Sequence, residues 1–259
     1  MTVAVTASPL AVTEDGSLGS LPHYWRFHEA VATAQLASWL PAGQRLLVDI
    51  SGPKARSAVQ AARAGHRVLR VSPGDLPGEP PEGPRRWPGS GGTVLTVTAD
   101  PGQLRFLADG SVDGVIADDR ALSRYIAAEY LAAEISRVLR PGGRLIASVD
   151  SLVLGMAMLA EQRHWAELTD LPSAEVLLIP WPDGTFTRCY GAQQLRDLCA
   201  EAGLKPGVIR PRTVLSPSMA ARVLRHDPTA MGRLVRAELT AEADESFGIQ
   251  LVVTARKPR

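Results

Sequence analysis

The chain reads as a doubly wound α/β protein: a mostly parallel sheet with helices on both faces. Three observations predict this. Short apolar runs alternate with helical patterns as far as about residue 150. The runs are nearly continuous in apolar residues, as strands covered on both faces are. A chain of 259 residues is also long enough for one large α/β domain with a modest insert.

The elements follow in order. From His23 to Leu40, apolar residues recur at helical spacing (Trp25, Val31, Leu36, Trp39, Leu40), and Pro41 and Gly43 close the helix. Arg45–Ile50 is the first strand, Lys54–Ala64 an Ala-rich helix stopped by Gly65, and His66–Val71 the second strand. From Pro73 to Gly92, twelve of twenty residues are Pro or Gly, which excludes regular structure and predicts a loose surface loop. Thr93–Thr98 and Val112–Ala117 are the third and fourth strands, with a helix over Ser123–Leu139. Pro141-Gly142-Gly143 turns the chain into a fifth strand, Arg144–Val149. Beyond Asp150 the rhythm changes. A helix is expected over Ser151–Leu168, and a hairpin whose arms, Glu175–Ile179 and Thr185–Tyr190, flank Pro182-Asp183-Gly184. A helix then covers Gly191–Ala202. The last two strands, Gly207–Leu215 and Phe247–Ala255, are separated by short helices over Pro217–Leu224 and Pro228–Ala241. The expected organisation is a flexible tail over residues 1–20 and a single domain over 21–259, with a cap or substrate insert at about 151–190.

Composition narrows the function classes. A net charge of +1 argues against a general nucleic-acid binder. The two cysteines, Cys189 and Cys199, fit neither a zinc pair nor a redox CxxC, so reduced thiols and no metal are expected. No apolar run reaches the roughly 18 residues that span a bilayer. The amino-terminal stretch lacks a basic n-region and carries Glu14 and Asp15, so a cytoplasmic location is expected. The expected partners are a small-molecule substrate and, for assembly, a second copy in a homodimer; neither nucleic acid nor membrane is expected.

The most specific string is Ser111–Asp150, SVDGVIADDRALSRYIAAEYLAAEISRVLRPGGRLIASVD. It resembles the second half of class I S-adenosylmethionine (SAM)-dependent methyltransferases. There a strand opening on a Phe-Asp dipeptide (here Val112-Asp113) leads through a helix to an RVLRPGG-like segment, matched by Arg137–Gly143. Leu104–Asp113 and Gly191–Lys205 resemble two further family segments, and the likeness covers roughly residues 25 to 258. It implies a Rossmann-like seven-stranded sheet. Its last strand, Phe247–Ala255, would lie antiparallel beside the fifth. It also implies S-adenosyl-L-methionine as cofactor.

The cofactor end departs from the family pattern. The family's D-x-G-x-G-x-G turn, which lets backbone approach the cofactor closely, aligns with Asp49 followed by Ser51, Pro53 and Ala55, with Gly52 between them. Pro53 also suits a helix N1 position. The carboxylate that the family sets on the ribose hydroxyls is replaced by Ser72, and Asp75 is the nearest acid after it. Asp100, beside Pro101, matches the position that contacts the adenine amino group; it also suits an N-cap for a following helix. Asp118 lies where the family's chain passes the methionine portion. The resemblance thus implies cofactor contacts at Asp49, Ser51, Gly52, Pro53, Ser72, Asp100, Pro101 and Asp118.

No sharp catalytic constellation stands out. His23, Tyr24 and His28, on a helix that often folds over the cofactor, are the candidate bases. His164, Trp165, Trp181 and Arg188 fall in the insert where such enzymes build a substrate pocket; each also suits plain packing. Three readings follow: a methyltransferase acting on a small molecule, a pseudo-methyltransferase serving as a binding or regulatory module, and an enzyme of the same fold catalysing a non-methylating step such as cyclisation. A nicotinamide-dependent dehydrogenase would need GxGxxG after the first strand, which is absent.

Overall fold

The computed structural model describes residues 22–52, 55–73, 85–86, 89–170, 176–180, 185–242, 244–245 and 247–259. The expected tail, Pro53, Asp75, Trp181 and most of the expected loop after Pro73 lie outside the described residues.

The strands are β1 (Leu46–Asp49), β2 (Arg67–Ser72), β3 (Arg85–Arg86), β4 (Thr93–Thr98), β5 (Val112–Ala117), β6 (Leu139–Ser151), β7 (Leu177–Pro180), β8 (Phe186–Tyr190), β9 (Lys205–Pro211) and β10 (Gln250–Arg256). They form a ten-stranded sheet whose main path runs β3-β4-β2-β1-β5-β6-β10-β9. The seven expected strands are its centre. Within that centre β4, β2, β1, β5 and β6 pair in parallel, and β10 runs antiparallel between β6 and β9. The three additional strands are β3, antiparallel on the edge strand β4, and the β7–β8 hairpin, which joins the carboxyl end of β6 through Asp150↔Cys189 and Ser151↔Tyr190.

The helices are α1 (Pro22–Trp39), α2 (Arg56–Arg63), α3 (Ala128–Val138), α4 (Leu152–Glu161), α5 (Trp165–Asp170), α6 (Ala192–Glu201), α7 (Pro217–His226) and α8 (Met231–Thr240). The apolar stripes of α3 and α6 (Leu131, Ile135, Leu195, Leu198) cover one face of the sheet, packing on Val115, Leu145 and Val253. On the other face Leu36 and Trp39 of α1 and Ala58, Ala61 and Ala62 of α2 pack on Leu47, Ile116 and Ile146. The alanines bring α2 close to the strands. The amino half of α1 instead buries Tyr24, Phe27 and Val31 against Ala220, Ala221 and Leu224 of α7. A further small cluster brings Leu154, Met158 and Leu159 of α4 against Leu177, Ile179 and Cys189.

Four expectations are corrected. The helix expected over Ser123–Leu139 is broken: a 3₁₀ turn spans Ala121–Arg124, Tyr125 is extended, and α3 starts only at Ala128. The cause is tertiary, because Arg124 and Tyr125 reach away to Ser51 and Asp100. The helix expected over Ser151–Leu168 is two helices. Arg163 takes the left-handed φ of 59°, and His164 N–H donates to Leu159 O (2.8 Å), a helix stop that releases the chain to restart at Trp165. The Pro141-Gly142-Gly143 turn belongs to the ladder, since Gly142 N–H donates to Lys257 O (3.0 Å) and Lys257 N–H to Gly143 O (2.9 Å). The last two strands lie three residues or fewer from their expected starts, β9 earlier and β10 later.

Candidate functional site

The strand order reverses between β1 and β5, one arm of the chain building outward through β2 and β4 and the other through β6. Connections leaving opposite ways at that point open a crevice beyond the carboxyl ends of the strands, where doubly wound sheets bind ligands. The residues that leave β1 and β5 therefore form its floor.

That floor is tied together by short-range hydrogen bonds. Asp49, at the end of β1, is 2% exposed; its Oδ1 accepts from Ser51 N–H (2.9 Å) and so shapes the turn. Ser51 Oγ in turn accepts from Asp118 N–H (3.0 Å), joining the exits of the two strands. Burial pushes the Asp49 carboxyl up to about 6, against the pull of its hydrogen bonds from Ser51. Gly52 has φ +117°, a conformation that side-chain-bearing residues rarely adopt. A Cβ at Gly52 would lie 2.6–3.0 Å from the guanidinium of Arg124, which donates from Nη2 to Ser51 O (2.6 Å). Arg124 thus lies directly over the turn. Tyr125 continues the same covering: a Cβ at Gly102 would stand 2.7 Å from its ring.

Beyond the turn, Ser72 is buried at the end of β2 and its carbonyl accepts from Ala99 N–H (3.0 Å). Asp100 is exposed; Oδ1 accepts from Gly102 N–H (2.8 Å) and the Tyr125 hydroxyl (3.3 Å). No helix follows it: Asp100–Gln103 is a turn, with Pro101 buried, so the expected N-cap role becomes that of a side chain closing a turn.

On the β5 side, Asp118 forms a buried pair with Arg212, a residue 2% exposed just past β9. Burial alone would raise the Asp118 carboxyl, but the Arg212 charge and the Ser148 hydroxyl outweigh it and hold it below its ordinary value. Arg212 Nη1 also donates to Gln35 Oε1 (2.6 Å). His28 Nε2 bonds Gln250 Oε1 (3.1 Å). Burial, then the neighbouring Arg212, lowers the His28 imidazole to about 4, so it is neutral near pH 7. A cavity of about 50 Å³ lies among these groups, lined by His28, Thr33, Ser51, Asp118, Arg212 and Gln250. Asp119 and Arg120 follow with φ of 54° and 60°, a left-handed pair without glycine, which is backbone strain held at the mouth of the crevice. Arg120 in turn pairs with the buried Asp150 (3.1 Å), which also accepts from the Thr187 hydroxyl (3.2 Å).

The structure thus places Asp49, Ser51, Gly52, Asp118 and His28 round one point, with Ser72, Asp100 and Pro101 along the same edge. His23 is half-buried in the first turn of α1. Tyr24 is buried in the α1–α7 core, its hydroxyl on Thr213 Oγ1 (3.1 Å), away from the cavity. In the insert, His164 bonds Glu167 (3.3 Å), Trp165 is exposed, and Arg188 is held by Glu129 (2.6 Å) over the Tyr190 ring. Arg124, Arg212, Gln35 and Gln250 were not singled out from the sequence.

The crevice passes a chemical test for an adenosyl cofactor in part. It offers a positive-φ turn for close backbone approach and a surface carboxylate at Asp100, while Ser72, which the resemblance aligns with the ribose carboxylate, carries a hydroxyl. Among the described residues Arg124 lies over the turn; it is long and donates to Ser51 O, as described above.

No family model matches the chain, and no curated protein matches it. Solved structures match over almost its whole length. The 1,6-didemethyltoxoflavin-N1-methyltransferase of Burkholderia thailandensis, solved with 1,6-didemethyltoxoflavin and S-adenosylhomocysteine, is 19% identical, covering 98% of this chain and 94% of its own at a TM-score of 0.55. Geranyl diphosphate methyltransferase, in complex with GPP and sinefungin, is 16% identical over 88% of this chain and 77% of its own, at 0.55. The [4+2]-cyclase SpnF is 18% identical over 88% and 80%, at 0.54. The chain has the class I SAM-dependent methyltransferase fold.

Proposed function

We propose that the chain is a SAM-dependent methyltransferase acting on a small-molecule acceptor. The observation that carries this reading is a juxtaposition at the switch point of the sheet. A turn shaped for close backbone approach adjoins a small polar cavity lined by the buried Asp118–Arg212 pair and the exposed Glu29–Arg56 pair. Buried polar groups of that kind cost stability and are found where a ligand uses them. Fold neighbours solved with S-adenosylhomocysteine and sinefungin support the same reading.

SAM supplies, when bound, an electrophilic methyl group on a good leaving group, so the protein has chiefly to position the acceptor and exclude water. In this reading Ser51 and Gly52 give the turn backbone to the amino-acid end, Asp118 gives backbone beside it, and Ser72 and Asp100 face the nucleoside. Asp49 holds the turn. His28 is too weakly basic, at about 4, to be an effective general base near pH 7. Its neutral ring suits it to orient an acceptor by hydrogen bonding. The buried Arg212–Asp118 pair fixes the wall opposite.

One observation favours the binding-module reading instead: Arg124 lies across the turn. A fold neighbour that is a [4+2]-cyclase keeps the non-methylating reading in view. Calorimetry with SAM and S-adenosylhomocysteine separates them. The methyltransferase reading expects both to bind, more weakly than to a site with the ribose carboxylate, since a lost charge-assisted hydrogen bond costs about 1.5–3 kcal/mol, roughly ten- to a hundredfold. Asp100→Ala is then expected to cost a further tenfold or so. Absence of binding at millimolar SAM transfers the assignment to the binding module, and binding without methyl transfer to any acceptor supports the cyclase-like reading.

A further inference from the structure

A second concavity lies on the other flank of α1, toward the amino ends of β6 and β9. It is a groove of about 620 Å³ between Trp39 of α1, the sheet face of β6, β10 and β9, and Leu239 of α8. Arg144, Lys205, Arg210 and Arg256 line it, and no acidic residue does among the described residues. The cations are ordered. Arg256 on β10 stands directly opposite Arg144 on β6 and opposite Lys205 on β9. Directly paired residues share a sheet face, and like charges so placed repel one another. Arg210 lies on the same face, paired through Val252.

The protein does little to relieve this. Arg144 donates to Trp39 O (2.8 Å) and Arg210 to the carbonyls of Glu238 and Leu239, so these contacts fix the guanidinium groups without neutralising them. Arg210 Nε is buried with no partner. The Glu238 carboxylate is turned away and accepts from Val214 N–H (2.8 Å) and Leu215 N–H (2.7 Å). The guanidinium of Arg144 is also depressed, first by burial and then by the charges of Arg256 and Arg45. In a chain of net charge +1, four cations in one groove are a local concentration.

We propose that this groove binds a small molecule carrying a chain of phosphates, of the size of a nucleoside triphosphate, at a site separate from the crevice. Strands stand about 4.8 Å apart, so three cations on neighbouring strands span roughly 10 Å, a row that suits linked phosphates better than a lone carboxylate. The apolar remainder of the wall, Trp39, Ile146 and Val252, leaves room for an aromatic or apolar body beside them. The volume lies within the range of about 300–1,000 Å³ typical of small-molecule sites.

The test is calorimetry on the full chain with inorganic tripolyphosphate, GTP and orthophosphate. GTP is used because its base does not bring adenosine to the crevice. Tripolyphosphate and GTP are expected to bind one per chain, orthophosphate at least tenfold more weakly, with affinity falling as salt rises. Lys205→Gln combined with Arg256→Gln changes two exposed side chains and relieves their repulsion; it should weaken both ligands tenfold or more without lowering the ligand-free melting temperature. Failure of tripolyphosphate and GTP to bind, or undiminished binding to the double variant, overturns the proposal. So does displacement of GTP by a 20-nucleotide single strand at far lower concentration, which would make the groove a nucleic-acid surface. The result does not depend on whether SAM binds.

Discussion

Arg124 decides whether the crevice is open. Its guanidinium occupies the space that Gly52 leaves, and a ligand entering there must break the bond to Ser51 O. It also brings a positive charge to the place proposed for a sulfonium. Removing it should therefore help: Arg124→Ala is expected to tighten SAM binding roughly tenfold or more, the worth of one charge-assisted hydrogen bond. S-adenosylhomocysteine, which lacks the sulfonium charge, should gain less. Calorimetry on the variant reads both, and a loss of affinity for either would mean that Arg124 grips the ligand instead of barring it. At this scale the sequence, by position, pointed to Asp49, Ser51, Gly52 and Asp118, which meet at the exits of β1 and β5. It concealed those that arrive from far along the chain. Arg124 meets a residue 73 positions away, Arg212 one 94 away, and Gln250 one 222 away. Pairings of that separation are set by topology, and no local pattern encodes them.

The elements were the most legible part of the chain, because periodicity and turn chemistry act locally. The third and fourth expected strands match β4 and β5 end for end. The misread segment after β5 is instructive: its composition is helical, but two side-chain contacts to other strands' exits hold Arg124 and Tyr125 out of the helix. A contact that outranks local preference also explains Gly92, at the entry to β4. A Cβ there would fall 1.8 Å from Ala62 O, which is backbone at the end of α2 and cannot swing aside. Ser90 Oγ donates to the same carbonyl (3.1 Å). The small residue is what lets α2 lie against the strand. Gly92→Ala is expected to cost about 3–5 kcal/mol, at the severe end for a single methyl group. Chemical denaturation measures it; a loss below about 1 kcal/mol would mean that α2 sits less tightly than described.

For the molecule as a whole, the buried Asp49 and the half-buried His28 beside the crevice pull stability in opposite directions with pH. Asp49, near Asp118 and Arg70, keeps its proton up to about 6 when folded, against an ordinary value of 3.8. Between those values the folded state holds more protons than the unfolded one, so stability falls as pH rises, by up to about 3 kcal/mol above pH 6. His28, near Arg212, Asp118 and Arg56, gives up its proton at about 4 when folded, against 6.5. There the unfolded state holds more protons, so stability rises with pH, by up to about 3 kcal/mol above pH 6.5. The two trends offset each other over one window, and the native protein hides both. Single variants should expose them. Asp49→Asn keeps an acceptor for Ser51 N–H and removes the charge; its melting temperature relative to the native chain is expected to climb from pH 4 to pH 7. For His28→Gln the same difference is expected to decline over that range, from highest near pH 4 to a plateau above pH 6.5. At about 2–4 °C per kcal/mol for a chain of this size, each change amounts to several degrees. Subtracting the native curve cancels the other titrating groups, so two flat difference curves would mean that neither group is desolvated when folded. Two curves of the same slope would leave the opposition between them without support.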